Sequence, residues 1–193
     1  MNRRVTCTRV TRETQLTLSL DLDGTGDATI QTGIGFLNHQ LETFARHGQF
    51  DLVVACTGDL EVDDHHTAED CALVLGQAFQ EALGTRAGIQ RFGSRYAPLD
   101  ESLCRAVVDF SGRPWSEINL SLVRETIGGL ATENVTHFFR SFAIASRTTL
   151  HVDVLRGDND HHKIEAAFKA VGLACRDAVV CRGTVIPSTK GVL

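Results

Sequence analysis

Apolar side chains follow the i, i+3, i+4, i+7 spacing of an amphipathic helix in two long stretches of this chain. After His65 they fall at 68, 71, 72, 75, 78, 79, 82 and 83; after His161 they fall at 164, 167, 168, 171, 174, 175, 178 and 179. Two shorter helices are expected around His39 and His137, with apolar residues at matching offsets: Leu37, Leu41, Phe44 and Ala45 in one, Val135, Phe139, Phe142 and Ala143 in the other. Asp64 and Asp160 stand where the N-caps of the long helices belong. FDLVVAC (50–56) and LHVDVL (150–155) are β-rich runs. The alternating series Leu16, Leu18, Leu20, Leu22 and Ala106, Val108, Phe110 read as strands that end in turns.

These elements repeat in order. Glu13 is followed by Asp21 at +8 and Gly24 at +11, and Glu101 by Asp109 and Gly112 at the same offsets. The long helices share Gly76, Ala78 and Ala82 with Gly172, Ala174 and Ala178. Each half reads strands, helix, strand, helix, with a seam at residues 85–88. The pattern predicts an α+β fold with an internal duplication. Residues 1–86 and 87–193 form two similar halves, each a β-sheet covered on one face by two helices, within one compact domain.

With 42% hydrophobic and 22% charged residues the chain is an ordinary globular protein, which excludes disorder. A net charge of −5 without a Lys/Arg-rich block argues against nucleic acid and anionic membranes as partners. No apolar run approaches the ~20 residues of a membrane span, and the first residues carry no apolar signal region. The six cysteines form no C-x-x-C pair and are expected to be free thiols in a reducing cytoplasm, with Cys71 and Cys175 on helical apolar stripes.

The candidate chemistry lies at the starts of the long helices. Both begin Asp-His-His, with Glu four residues after the first His: His65/Glu69 and His161/Glu165. Residues four apart are separated by about 40° around the axis, so each pair can hold one metal. His66 and His162 point about 100° away and suit a neighbouring ion. An isolated surface His pair is ordinarily solvated. Here the whole cluster recurs, each copy with an upstream helical His, which argues for two related metal sites. The sets expected from the pseudo-symmetry are His39, His66, His161 and Glu165, and His65, Glu69, His137 and His162. Three imidazoles and one carboxylate leave positions open on a metal that prefers more than four ligands. His47, two turns after His39, can face the site, whereas His151 in a strand is expected to be structural. The segment LSLDLDGTG (18–26) imitates the nucleophile motif of haloacid-dehalogenase-type phosphatases, with Asp21 as nucleophile and Asp23 as acid. Its repeat copy VVDFSGRP (107–114) keeps Asp109 and Gly112 but has Ser111 in place of Asp23, which argues against that chemistry.

Five segments carry a resemblance to a known family: GFLNHQLETFARHGQFDL (35–52), DDHHTAEDCALVLGQA (63–78), THFFRSFA (136–143), GDNDHHKIEAAFKA (157–170) and PSTKGVL (187–193). Over essentially its whole length the chain resembles the monofunctional imidazoleglycerol-phosphate dehydratases, hydro-lyases of histidine biosynthesis. The resemblance implies two Mn²⁺ per active site, a homo-oligomeric 24-subunit shell and active sites assembled between subunits. It implies dehydration of imidazole glycerol phosphate to imidazole acetol phosphate. In that chemistry a metal-bound imidazolate expels the hydroxyl, and a diazafulvene-like intermediate acidifies the neighbouring C–H for a carboxylate to remove. By motif match, Glu13 in RVTRET is the expected proton-transfer and substrate-binding residue, with Glu101 a weaker counterpart and His47 a second catalytic candidate. Arg91, Arg113, Lys169, Ser188 and Lys190 are expected to bind the small-molecule phosphate. Two rival readings of the clusters are a dinuclear hydrolase that activates water, and a non-enzymatic metal protein with saturated sites.

Overall fold

The computed structural model describes residues 3–191 and Leu193; Val192 of the PSTKGVL motif lies outside the described residues. The first half comprises β1 (Arg4–Val10), β2 (Thr14–Asp21), β3 (Ala28–Gln31), α1 (Gly35–Gly48), β4 (Asp51–Gly58) and α2 (His65–Leu83). The second comprises β5 (Phe92–Leu99), β6 (Ser102–Asp109), β7 (Trp115–Asn119), the short β8 (Thr126–Ile127) and β9 (Leu130–Ala131), α3 (Thr132–Ala145), β10 (Thr149–Arg156) and α4 (Asp160–Val179). The sheet order β1-β2-β4-β3 recurs as β5-β6-β10-β7. In both sheets the last pair is parallel and the others antiparallel. The α+β duplication expected from the sequence is therefore the architecture observed. The β8–β9 hairpin is the addition to the second half.

Strand alternation decides which face is buried. Leu16, Leu18 and Leu20 of β2, Leu52 and Val54 of β4, and Ala106 and Val108 of β6 point inward, while Thr17 and Val53 are exposed. The helices fill the space between the two sheets. α2 covers β1 and β2 while α1 lies on β3; α4 covers β5 and β6 while α3 lies on β7. The principal helix pairs cross the seam: α2 packs on α3, and α4 on α1.

The two repeated glycines account for this pairing. A Cβ on Gly76 would lie 2.7 Å from both the Ala145 Cβ and the Phe142 carbonyl oxygen; one on Gly172 would lie 2.7 Å from the Phe44 carbonyl oxygen. Only hydrogen at these positions lets the helix backbones approach so closely. Buried aromatic rings from both halves fill the space beside them. Phe79 of α2 stacks on Phe110 at 5.9 Å and meets Phe142 of α3 edge-on at 5.4 Å, with Phe44 of α1 and Phe50 against it. Burying each such ring contributes about 1.5–3 kcal/mol, and each aromatic pair adds ~0.5–1.5 kcal/mol.

The helix starts differ in one respect from the sequence expectation. Asp160 is the first residue of α4 rather than its cap. Asn159 is the cap, its side chain accepting from the His161 amide at 2.9 Å. Asp63 does the same for the His65 amide at 2.8 Å, and Asp64, although at the N-cap position of α2, makes no capping bond. Both aspartates instead accept backbone N–H groups from the segment around β8 and β9, which compete successfully with the helices' own.

Gly172→Ala should cost about 1–3 kcal/mol, because the rigid Phe44 backbone must move. Gly183→Ala, with nothing within 4 Å, should stay within about 0.5 kcal/mol of the parent. Urea denaturation of the two variants checks this; equal stabilities would show that glycine does not set the helix spacing.

Candidate metal centres

Helix pairing across the seam places ligands from one half opposite ligands from the other. His39 of α1 meets His161 and Glu165 of α4, and His137 of α3 meets His65 and Glu69 of α2. Within each trio the potential ligand atoms lie within 4.8 Å of one another. In the first, Glu165 Oε2 is 3.0 Å from His39 Nε2 and 3.3 Å from His161 Nε2. In the second, Glu69 Oε1 is 3.0 Å from His137 Nε2, and the His65 and His137 rings stack at 4.8 Å. Two imidazoles and one carboxylate converging from rigid helices suit a divalent ion of intermediate hardness. Such a donor set is open to several first-row divalent ions, Mn²⁺ among them.

Three members of each expected four-ligand set thus converge, and the fourth stands apart. His66 and His162 are held on their Nδ1 side by carboxylates: His66 lies 3.0 Å from Asp59 Oδ2, and His162 lies 2.8 Å from Glu101 Oε2. Those hydrogen bonds raise both imidazole pKa values above the ordinary range. A carboxylate on one ring nitrogen orients the other for coordination, the usual outer-shell arrangement of a metal-binding histidine.

Glu13 and Glu101 occupy equivalent turns, β1–β2 and β5–β6, but differ in what they bind. Glu101 accepts from His162, from the Asn159 amide at 2.9 Å and from the Asp158 amide at 3.2 Å. The His162 bond first, then the backbone amides, hold its carboxyl far below the usual range. In the first half Asp59 takes over the histidine, which leaves the half-exposed Glu13 carboxylate 3.7 Å from His66 Nε2.

The first trio opens onto a cleft of about 550 Å³ lined by His39, Glu42, Arg46, His47, Glu165 and Lys169. Lys169 Nζ sits 2.8 Å from Glu165 Oε1. Burial opposes ionisation of Glu165, yet the bonds from Lys169 and His39 prevail and bring its carboxyl to about 2. His47 is pushed toward its neutral form: burial, then the Lys169 charge, lower its imidazole pKa.

The other phosphate candidates have different partners. Arg91, at φ 72°, is bound by Nε and Nη2 to Asp109 at 2.7 and 3.1 Å, and by Nη1 to the Pro187 carbonyl at 2.8 Å. It moors the tail that carries Ser188 and Lys190. Arg113 is exposed on a turn whose backbone is fixed by Ser111 Oγ and Thr149 Oγ1. Lys169 thus pairs with Glu165, while Arg91 pairs with Asp109 and the tail. His151 is exposed on β10 and belongs to neither trio. The phosphatase-like motif also resolves into structure: Asp21 Oδ1 accepts the Asp23 amide at 3.0 Å in a turn, and Asp23 is ion-paired with Arg3. The six cysteines are unpaired, and five of them are buried.

Sequence reasoning passed over two residues of the site. Asp59 carries no periodic signal. Asn134, whose Oδ1 lies 2.9 Å from His65 Nδ1, could have been found one turn before His137, where the first half has Phe36.

The family model for imidazoleglycerol-phosphate dehydratase matches residues 32–175. A protein of that name from Chlorobium luteolum is 54% identical over 99% of this chain and 96% of its own length. Another from Phytophthora nicotianae is 58% identical over 99% of this chain, which spans 42% of that longer protein. The crystal structure of the Staphylococcus aureus imidazoleglycerol-phosphate dehydratase superposes with a TM-score of 0.84 at 40% identity, covering 92% of this chain and 99% of that one. The Pyrococcus furiosus structure gives the same TM-score, 0.84, at 33% identity, covering 97% of this chain and 100% of that one. Among the described residues no helix is long and apolar enough to cross a membrane. This chain belongs to the imidazoleglycerol-phosphate dehydratase family.

Proposed function

We propose that this chain dehydrates imidazole glycerol phosphate to imidazole acetol phosphate in histidine biosynthesis, using two Mn²⁺ ions held at the two histidine–glutamate trios. The observation that carries this reading is the pair of trios, one bordering a cleft with a lysine and a histidine at its wall. The substrate loses the hydroxyl beside its imidazole ring and a proton from the next carbon, and the resulting enol becomes the ketone. No carbonyl acidifies that C–H bond. A divalent ion held by His39, His161 and Glu165 or by His65, Glu69 and His137 would supply the missing activation by favouring the imidazolate form of the substrate ring.

The chain's own groups divide the remaining work. Glu13 is the proton-transfer residue. Its carboxylate is half exposed beside His66, whereas Glu101 is saturated by its hydrogen-bond donors and serves to orient His162. His47 favours the neutral form and can exchange a proton at the cleft wall. Arg113, Ser188 and Lys190 take the phosphate, and Arg91 keeps the tail in place for them. Lys169 holds Glu165 ionised and lies where it can also meet an anionic substrate. His66 and His162, oriented but outside their own trios, complete the metal sites of neighbouring copies in a 24-subunit homo-oligomer.

Turnover of imidazole glycerol phosphate by metal-stripped protein, with and without added Mn²⁺, tests the reading. Mn²⁺-dependent ketone is expected. Tightly bound metal without ketone would move the function to a dinuclear hydrolase or a metal-binding protein. Glu13→Gln should still bind substrate while kcat falls by about 10²–10⁴-fold; normal turnover would remove Glu13 from the chemistry. Arg113→Ala and Lys190→Ala should each raise KM by roughly tenfold, the loss of one charge-assisted hydrogen bond of ~1.5 kcal/mol. An unchanged KM in both would place the phosphate elsewhere.

A further inference from the structure

Asp64 and Asp160, the first residues of the two Asp-His-His motifs, neither cap their helices nor belong to the trios. Each accepts backbone N–H groups from a single segment, residues 121–131. Asp64 Oδ2 accepts from Ala131 at 2.7 Å. Asp160 Oδ2 accepts from Val123 at 2.7 Å and Arg124 at 2.6 Å. Lys163 closes the second grip, bonding Asp160 Oδ1 and the Ser121 carbonyl at 2.9 Å each. This ion pair is almost fully buried, with side chains 6% and 2% exposed. Breaking it would strand an uncompensated charge.

Between the two grips runs the β8–β9 hairpin, whose tip residues Gly128 and Gly129 have φ of 54° and 80°, as a two-residue loop with both central residues at positive φ requires. The tip rests on α1: a Cβ at Gly128 would lie 3.0 Å from the Phe36 Cβ. The Phe36 ring in turn packs against His161 at 5.0 Å. At its other end the segment runs into α3 through Ala131, the residue Asp64 grips. One strap of eleven residues, 121–131, therefore touches all four helices that carry the candidate ligands. Among the described residues the first half has nothing equivalent.

We infer that Asp64 and Asp160 are positioning residues, and that the strap they hold couples the two metal sites, so that loosening it at one trio weakens metal binding at the other. This rests on the reading of the trios as metal sites. A coupling of this kind is reciprocal.

Mn²⁺ titration followed by electron paramagnetic resonance tests the inference in single-site backgrounds. With Glu69→Gln removing a ligand of the second trio, Asp64→Ala should weaken Mn²⁺ binding at the first trio about tenfold, as loss of outer-shell support does. Asp64→Asn should restore it, because the amide oxygen accepts the same Ala131 N–H. Conversely, with Glu165→Gln as background, Gly128→Ala should weaken the second trio, since it strains the tip against Phe36. The Gly128 variant also keeps the test available if Asp64→Ala fails to fold. Unchanged affinity at the remote trio, or an Asn variant no better than Ala, would overturn the strap while leaving the metal reading intact. A parent protein that binds no Mn²⁺ would overturn both.

Discussion

Close approach of helix backbones across the duplication seam is the constraint on which the rest of this structure depends. Gly76 and Gly172 leave room for α3 and α1 to lie directly on α2 and α4. The consequence appears near the other end of the same helices, where His137 reaches Glu69 and His39 reaches Glu165 at 3.0 Å. A wider spacing would keep the hydrophobic layers but part the ligands. Packing and chemistry are thus set by one geometric fact, and neither half could assemble a trio alone.

Duplication supplies two matching trios, and their surroundings differ. The differences fall at equivalent positions. One turn before the upstream histidine stands Phe36 in one half and Asn134 in the other; the ring packs on His161, while the amide engages His65. One turn after the glutamate stands Lys169 or Leu73, and two turns after the upstream histidine stands His47 or Ala145. The first trio therefore borders a cleft lined by Lys169 and the imidazole of His47, which the equivalent positions of the second half do not supply. The hairpin-turn glutamates diverge in the same way: Asp59 relieves Glu13 of the task that ties Glu101 to His162.

Much of this was legible in the chain. The four helices announce themselves by period and the duplication by shared offsets, since buried faces impose strong patterns. Pseudo-symmetry also pairs His39 with His161 and Glu165 across a sequence distance that periodicity cannot bridge. What stayed hidden depends on long-range partners. Asp160 resembles a cap until the Val123 and Arg124 amides are brought to it. β8 and β9 have two residues each, too few for a period. Nothing local distinguishes Glu13 from Glu101, because the difference comes from Asp59. The place of His66 and His162 outside their trios follows from helix geometry, but the carboxylates that hold them do not.

The central claim is that each trio is one metal site built from two helices of opposite halves. The direct measurement is the number of Mn²⁺ ions retained per chain by mass spectrometry in the parent, His39→Ala, His137→Ala and the double variant. The account predicts two ions in the parent, one in each single variant and none in the double. Two ions retained by both single variants would contradict it, since α1 and α3 would then contribute no ligand.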